Sequence, residues 1–197
     1  LGDKLPVLAL LLVLLSLPFV VIGYASAGWY RMSYTSGGTE YSSRFGLFTL
    51  HNCTADACER YDLDYTNNQS LREGTRAAVA CLSIAMGLTV FLTITNILQM
   101  SRKCFDDMDQ RRLLIMHFIL TSMIATLYIL AVFLYPILYG GADDSGLADW
   151  SSGYFLSYYV IIPAAILSTI AALLLGYETT KSIIPKRYKA VILGSKE

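Results

Sequence analysis

Four long stretches of this chain contain no Asp, Glu, Lys or Arg, and they limit its possible folds more than any other feature. A hydrocarbon core about 30 Å thick is crossed by roughly 20 apolar residues in a helix, and each stretch is long enough. Because backbone groups cannot remain unpaired in lipid, each stretch should be helical. The predicted membrane helices cover residues 5–24, 77–100, 113–139 and 154–177.

The composition supports a membrane protein of the all-α class, a four-helix bundle. Of the 197 residues, 55% are hydrophobic and only 15% are charged, which is too apolar for an ordinary soluble domain. Pro18, Pro136 and Pro163, which lie inside the stretches, are expected to form kinks or near-terminal turns in the helices rather than break them. The first stretch resembles a secretory signal, but it exceeds the usual length of about 7 to 15 apolar residues, so we expect it to be retained.

Basic residues beside the helices predict the orientation, because they favour the cytoplasmic side. Ten lie on one side and five on the other. Both termini are therefore expected in the cytoplasm, with the chain in the plasma membrane. This places two segments outside, 25–76 and 140–153, and a loop and a tail inside, 101–112 and 178–197.

The longer outer segment, 25–76, is expected to form a small extracellular antiparallel β-sheet of three or four strands. Residues 29–34 and 40–50 are rich in aromatic and hydroxyl side chains, and Ser36-Gly37-Gly38 between them suits a hairpin turn. Residues 61–65 alternate between apolar and acidic side chains, which predicts a strand with its aromatic side covered and its acidic side in water.

Cys53 and Cys58 lie in this outer segment, on the oxidising side of the membrane. A close cysteine pair in that compartment is more often a disulfide than a metal or redox site. The segment is too short for a deep core of its own, so we expect the disulfide to stabilise it.

Two glycosylation motifs lie in the same segment, Asn52-Cys53-Thr54 and Asn68-Gln69-Ser70. We favour Asn68, because it lies in a polar loop, whereas Asn52 is next to a cysteine expected to be bridged. The alternative is that neither asparagine is modified.

The outer segments carry five basic and nine acidic residues, a net charge of −4 that should attract cations. Solvation of the surface is the alternative role for these carboxylates. The acidic residues expected to be exposed are Asp62, Asp64, Asp143, Asp144 and Asp149.

Small residues recur at every fourth position of the last helix, which permits another helix to approach closely. They are Ala164, Ser168, Ala172 and Gly176. Packing within the bundle and contact with another subunit both remain open, and Ser83 and Gly87 of the second helix are candidates for the facing surface. At the cytoplasmic end, Cys104 is either palmitoylated or a free thiol.

The chain offers little for catalysis or transport. No carboxylate lies within the predicted spans, and His117 is expected to have a structural role. No nucleophile and base arrangement, phosphate loop or zinc-like cysteine spacing is present. We therefore expect no enzymatic activity, no cofactor, no metal and no nucleic acid partner.

Several residues together resemble the claudin superfamily, which includes claudins, peripheral myelin and epithelial membrane proteins and calcium-channel gamma subunits. They are Trp29, Gly46-Leu47-Phe48, Cys53, Cys58 and Arg76. The resemblance implies that Trp29 seats the sheet at the membrane edge and that Arg76 precedes the second helix. Two features depart from the claudin pattern: Phe48 stands where claudins have tryptophan, and the cysteines are closer together.

The resemblance implies a function based on contact. The chain would act at cell junctions, in adhesion or in a membrane barrier, with lipids and other membrane proteins as partners. The alternative is an auxiliary subunit, similar to the gamma subunits, that regulates the gating or trafficking of an ion channel or receptor.

Overall fold

The structure is a computed structural model that describes residues 5–26, 28–54, 57–62, 69–100, 110–139, 150–154 and 156–183. These residues form four helices and five strands. The helices are α1 (Leu5–Ala25), α2 (Gln69–Met100), α3 (Gln110–Tyr139) and α4 (Leu156–Ile183). The strands are β1 (Tyr30–Ser36), β2 (Thr39–Phe45), β3 (Thr49–Cys53), β4 (Cys58–Asp62) and β5 (Trp150–Tyr154).

The four helices confirm the predicted four apolar helices, and each is long and apolar enough to cross a membrane. Only 22% to 33% of the residues in their apolar spans are buried within the chain, so most of this apolar surface faces outward. The helices continue through Pro18, Pro136 and Pro163.

Helices α2 and α4 extend furthest beyond the predicted bounds. Helix α2 begins at Gln69 rather than at residue 77, and α4 continues to Ile183. In the added start of α2, the Gln69 amide donates a hydrogen bond to Glu73 across one turn, at 2.8 Å. A charge-free stretch indicates only the apolar part of a helix, so it does not predict polar helix ends such as these.

Helix α4 packs against both α1 and α3, and α3 also packs against α2. The contact between α1 and α2 is much smaller. It includes a hydrogen bond of 2.9 Å between the hydroxyls of Tyr24 and Ser83. The bundle is therefore built around α3 and α4.

One end of the bundle carries an antiparallel sheet with the strand order β4-β3-β2-β1-β5. Strands β1 and β2 form the predicted hairpin. Gly37 and Gly38 at its tip have φ values of 59° and 82°. A two-residue loop with positive φ at both positions matches the right-handed twist of the strands and favours glycine.

In the described part of the chain, the segment 25–76 contributes four strands, within the predicted number, and the sheet has a fifth strand that was not predicted. The predicted strand 40–50 is interrupted at Gly46-Leu47-Phe48, where the Gly46 amide donates to the Thr49 carbonyl at 2.8 Å and the chain reverses. The fifth strand comes from the segment between α3 and α4, and it pairs with β1 from Tyr30↔Tyr154 to Tyr34↔Trp150. Such long-range pairing leaves little local signal in the sequence.

Strand β4 does not have the covered side that the alternation predicts. All five of its residues are exposed. Tyr30, Phe45, Leu50 and Tyr61 are paired in turn across the four strands and lie on the same face of the sheet. The exposed fraction of the residue rises along this row from 3% at Tyr30 through 9% at Phe45 to 39% at Tyr61. The packing that buries this face of the sheet therefore does not extend to β4. Leu63, Asp64 and Tyr65 lie outside the described residues.

Candidate functional site

The sheet is fixed to the bundle by Trp29, which is completely buried. Its ring lies 4.8 Å from the ring of Tyr135 in α3 and 6.0 Å from that of Tyr158 in α4, measured between centroids. Its indole N–H donates a hydrogen bond of 2.6 Å to the carbonyl of Gly23 in α1. One side chain thus contacts three helices and joins the sheet to the end of the bundle.

Tyrosines extend this cluster from the helices into the sheet. Tyr158 stacks on Tyr154 of β5 at 4.7 Å and donates a hydrogen bond of 3.0 Å to the Val132 carbonyl. Tyr154 in turn contacts the ring of Tyr30 in β1 at 5.7 Å. Each such aromatic pair contributes about 0.5–1.5 kcal/mol beyond the area it buries.

Helices α1 and α4 come very close where they meet the sheet. A Cβ added at the buried Gly23 would lie 2.2 Å from Cδ1 of Ile161 and 3.1 Å from the Ser157 carbonyl oxygen. Just beyond, the hydroxyls of Ser26 and Ser157 are hydrogen-bonded, and the Ser157 amide donates to the Gly28 carbonyl at 3.0 Å. The glycine is needed for this approach.

The motif residues Gly46, Leu47 and Phe48 form the turn between β2 and β3. Leu47 is only 2% exposed and belongs to the core, whereas Phe48 is 46% exposed and packs edge-on against Tyr24 at 5.0 Å. Arg76 lies about two turns inside α2 rather than before it, because the helix begins at Gln69.

The predicted disulfide between Cys53 and Cys58 is confirmed. The two cysteines are also directly paired at the end of the β3–β4 hairpin, which is closed by a hydrogen bond of 2.8 Å from the Thr54 amide to the Ala57 carbonyl. The bond therefore holds the edge strand β4 to the sheet.

We expect Cys53→Ser to lower the free energy of unfolding by about 2 kcal/mol, the loop-closure contribution for so short a loop. The cysteines are separated by 5 positions in sequence. Thermal unfolding of the purified protein in detergent measures the change. Cys81→Ser is the matched control, since Cys81 is a free thiol in α2. Equal shifts for the two variants would contradict a stabilising role for the disulfide.

A row of basic side chains crosses the sheet, and the sequence did not predict it. Arg31 is paired with Arg44, Arg44 with His51, and His51 with Arg60. Directly paired residues lie on the same face of a sheet, so these four side chains form one basic row. Alternation in single strands is visible in the sequence, but the row depends on the register of all four strands.

The basic row borders a crevice of about 350 Å³ between the sheet and the ends of α1 and α4. Arg44, His51 and the disulfide line its sheet side. Its helix side is formed by residues of α1, α4 and the connection to β1: Ile22, Ser26, Gly28, Leu156, Ser157 and Val160.

The predicted acidic and glycosylated residues are only partly described. Asp62 is exposed at the end of β4 and is paired with Thr49, on the same face as Arg60. Asn52 is exposed in β3, where its side-chain oxygen accepts a hydrogen bond of 2.8 Å from Ser43. The remaining positions, Asn68, Asp64, Asp143, Asp144 and Asp149, lie outside the described residues.

The hydrogen bond from the Tyr61 hydroxyl to the Glu59 carboxylate raises the pKa of Tyr61, and the negative charge of Glu59 acts in the same direction. Both side chains are exposed on β4. The edge of the sheet therefore presents an aromatic ring beside a carboxylate.

The small-residue positions of α4 serve packing inside the bundle over most of their length. Ala164 and Ser168 are fully buried, and Ala172 is 9% exposed. A Cβ at Gly176 would lie 3.0 Å from the Phe118 ring of α3. The prediction that Ser83 and Gly87 face this row is wrong: both are exposed in α2, whereas α4 packs against α1 and α3.

An open groove of about 600 Å³ runs between α3 and α4 near the end opposite the sheet. Ala172 and Gly176 line it, together with Phe118 and Ser122 of α3. His117 lies nearby in α3 and is buried, and its Nε2 has no hydrogen-bond partner among the described residues. Cys104 lies outside the described residues.

Comparison with known proteins finds no family model and no curated protein that matches this chain. The resemblance to the claudin superfamily therefore stays a prediction from the motif residues. The function is inferred below from the geometry of the sheet and the bundle.

Proposed function

We propose that this chain is a claudin-like protein that crosses the plasma membrane four times, with both termini in the cytoplasm. In this proposal it acts without catalysis, through contacts of its extracellular sheet at a cell junction, in adhesion or in a membrane barrier. Support comes from the outward-facing apolar surface of the four helices and from the buried Trp29 that fixes the sheet to them.

The observation that carries the contact function is the exposed edge of the sheet at β4. The backbone groups along the open side of an edge strand are available for pairing with another chain. All five β4 residues are exposed, and Tyr61 adds an aromatic ring of the kind enriched at protein interfaces. The charged side chains of Glu59, Arg60 and Asp62 would restrict nonspecific pairing.

The function is tested in cultured cells that lack the protein, with the chain expressed under two different fluorescent labels. We expect it to accumulate at borders between two expressing cells and not at borders with a non-expressing cell. Tyr61→Ser should reduce this accumulation, because it removes the exposed ring from β4. Tyr177→Ser is the control, since Tyr177 is 64% exposed but lies in α4, far from the sheet.

Equal accumulation at both kinds of border would contradict the contact function. An equal effect of Tyr61→Ser and Tyr177→Ser would contradict the role of β4 in it. Both comparisons require that the variants reach the cell surface in equal amounts, which surface biotinylation measures.

A second candidate, an auxiliary subunit of a channel or receptor, is favoured by the groove between α3 and α4. The groove is flanked by small residues, which permit a helix of another protein to approach. Purification in mild detergent tests this function by identifying membrane proteins that remain bound. If a stoichiometric partner remains bound to the Tyr61→Ser variant, the result would support binding through the groove between α3 and α4 rather than contact between cells through β4.

A further inference from the structure

The basic row places two guanidinium groups of the same charge, those of Arg31 and Arg44, directly opposite each other in the sheet. Like charges directly opposite each other are destabilising, so an anionic group beside them is favoured. Arg31 forms an ion pair with Glu40, at 3.2 Å. The next two positions of the row, Arg44 and His51, line the crevice next to α1 and α4.

The helix side of the crevice is apolar at Ile22, Leu156 and Val160, with the two bonded hydroxyls of Ser26 and Ser157 between them, and it is open to the outside of the bundle. Ile22 of α1 is 55% exposed, and Leu156 of α4 is 68% exposed. Val160 lies one turn further along α4 and is half-buried. The crevice thus joins a basic wall on the sheet to an apolar strip that continues down the bundle.

The level of the crevice matches the headgroup layer of a bilayer. Helix α1 has 21 residues, which gives a length of roughly 31 Å at about 1.5 Å per residue. That length equals the thickness of a hydrocarbon core, about 30 Å. With α1 spanning the core, the crevice beside its end at Ala25 lies among the lipid headgroups and the apolar strip lies among the acyl chains.

We propose that this crevice binds a phospholipid of the outer leaflet. Arg44 and His51 donate hydrogen bonds to its phosphate, and Ile22, Leu156 and Val160 contact its acyl chain. The proposal rests on the membrane placement given under the proposed function. Guanidinium groups match the geometry of phosphate oxygens, and hydrogen bonds to an ionised phosphate are stronger than those between neutral groups. The apolar strip selects a lipid over free phosphate.

The test uses the full chain purified in detergent and three probes. They are didecanoyl phosphatidylglycerol, which has phosphate and chains, didecanoylglycerol, which has only chains, and inorganic phosphate. Binding is followed by the rise in melting temperature with probe concentration. We expect the phospholipid to bind at least about tenfold more tightly than either other probe, because only it uses both walls of the crevice.

The variant Arg44→Gln with His51→Gln should lose about tenfold or more of the phospholipid affinity, the equivalent of one charge-assisted hydrogen bond. Arg60→Gln is the matched control. It removes a charge from the same row at the exposed edge, outside the crevice, and should change affinity by less than about twofold. If the double variant fails to fold, Arg44→Lys, which keeps the charge but loses the forked geometry, should still weaken binding.

Three outcomes would overturn the proposal: equal affinity for phospholipid and didecanoylglycerol, equal affinity for phospholipid and inorganic phosphate, or equal losses in the Arg44 and Arg60 variants. Binding in detergent does not depend on contact between cells. Failure of the crevice therefore leaves the border assay unaffected, and failure of the border assay leaves the lipid measurement valid.

Discussion

Trp29→Ala, just before β1, is expected to destabilise the protein more than any single substitution within the sheet, by about 3–5 kcal/mol. The indole is fully buried between the sheet and the ends of α1, α3 and α4, so its removal leaves a cavity where these elements meet. Thermal unfolding in detergent measures the loss. We also expect faster proteolysis of the sheet, because it would no longer be held against the helices.

Two further variants separate the contributions of the Trp29 side chain. Phe48→Ala removes an aromatic ring that is 46% exposed and should cost less than about 1.5 kcal/mol. Trp29→Phe keeps most of the buried ring but loses the hydrogen bond to the Gly23 carbonyl, and should fall between the two. Similar losses for Trp29→Ala and Phe48→Ala would contradict the role of Trp29 as the anchor.

Gly23→Ala is expected to destabilise the bundle by about 1–3 kcal/mol, the usual cost of forcing extra atoms into a packed site. The added methyl group would overlap Ile161 and press on the Ser157 carbonyl, so α1 and α4 would have to separate. The melting temperature in detergent measures this change as well.

Gly87→Ala is the matched control, because Gly87 is also a helical glycine but has nothing within 4 Å of an added Cβ. Alanine favours a helix over glycine by up to about 1 kcal/mol, so this variant should be neutral or more stable. Ile161→Ala should partly rescue Gly23→Ala, because it removes the atoms that overlap. Additive losses in the double variant would contradict direct contact between the two positions.

The sequence predicts the helices well because each of them contains its own long, charge-free apolar stretch, a signal that is local to that part of the chain. The hairpin at Gly37-Gly38 is predicted for a similar reason, since the turn conformation depends on the two residues that form it. The polar start of α2 is not predicted, because it lies outside the charge-free stretch from which the helix is inferred.

The candidate site depends on features that no local pattern contains. The basic row exists only because β1, β2, β3 and β4 pair in one register, and the crevice only because the sheet rests beside α1 and α4. The alternation at residues 61–65 predicts a strand, of which Tyr61 and Asp62 belong to β4, but the predicted covered side is absent there, because β4 is an edge strand whose five residues are all exposed.

The pairing of β5 with β1 has a consequence for the order of events during synthesis. Strands β1 to β4 precede α2 in the chain, whereas β5 follows α3, so Tyr30 meets Tyr154 only after most of the protein has been made. At a synthesis rate of about 5–20 residues per second, the interval between the two strands is roughly 6–25 s. Until then the β1 edge is open and able to pair with another nascent chain, so the complete sheet forms only in the last steps of synthesis.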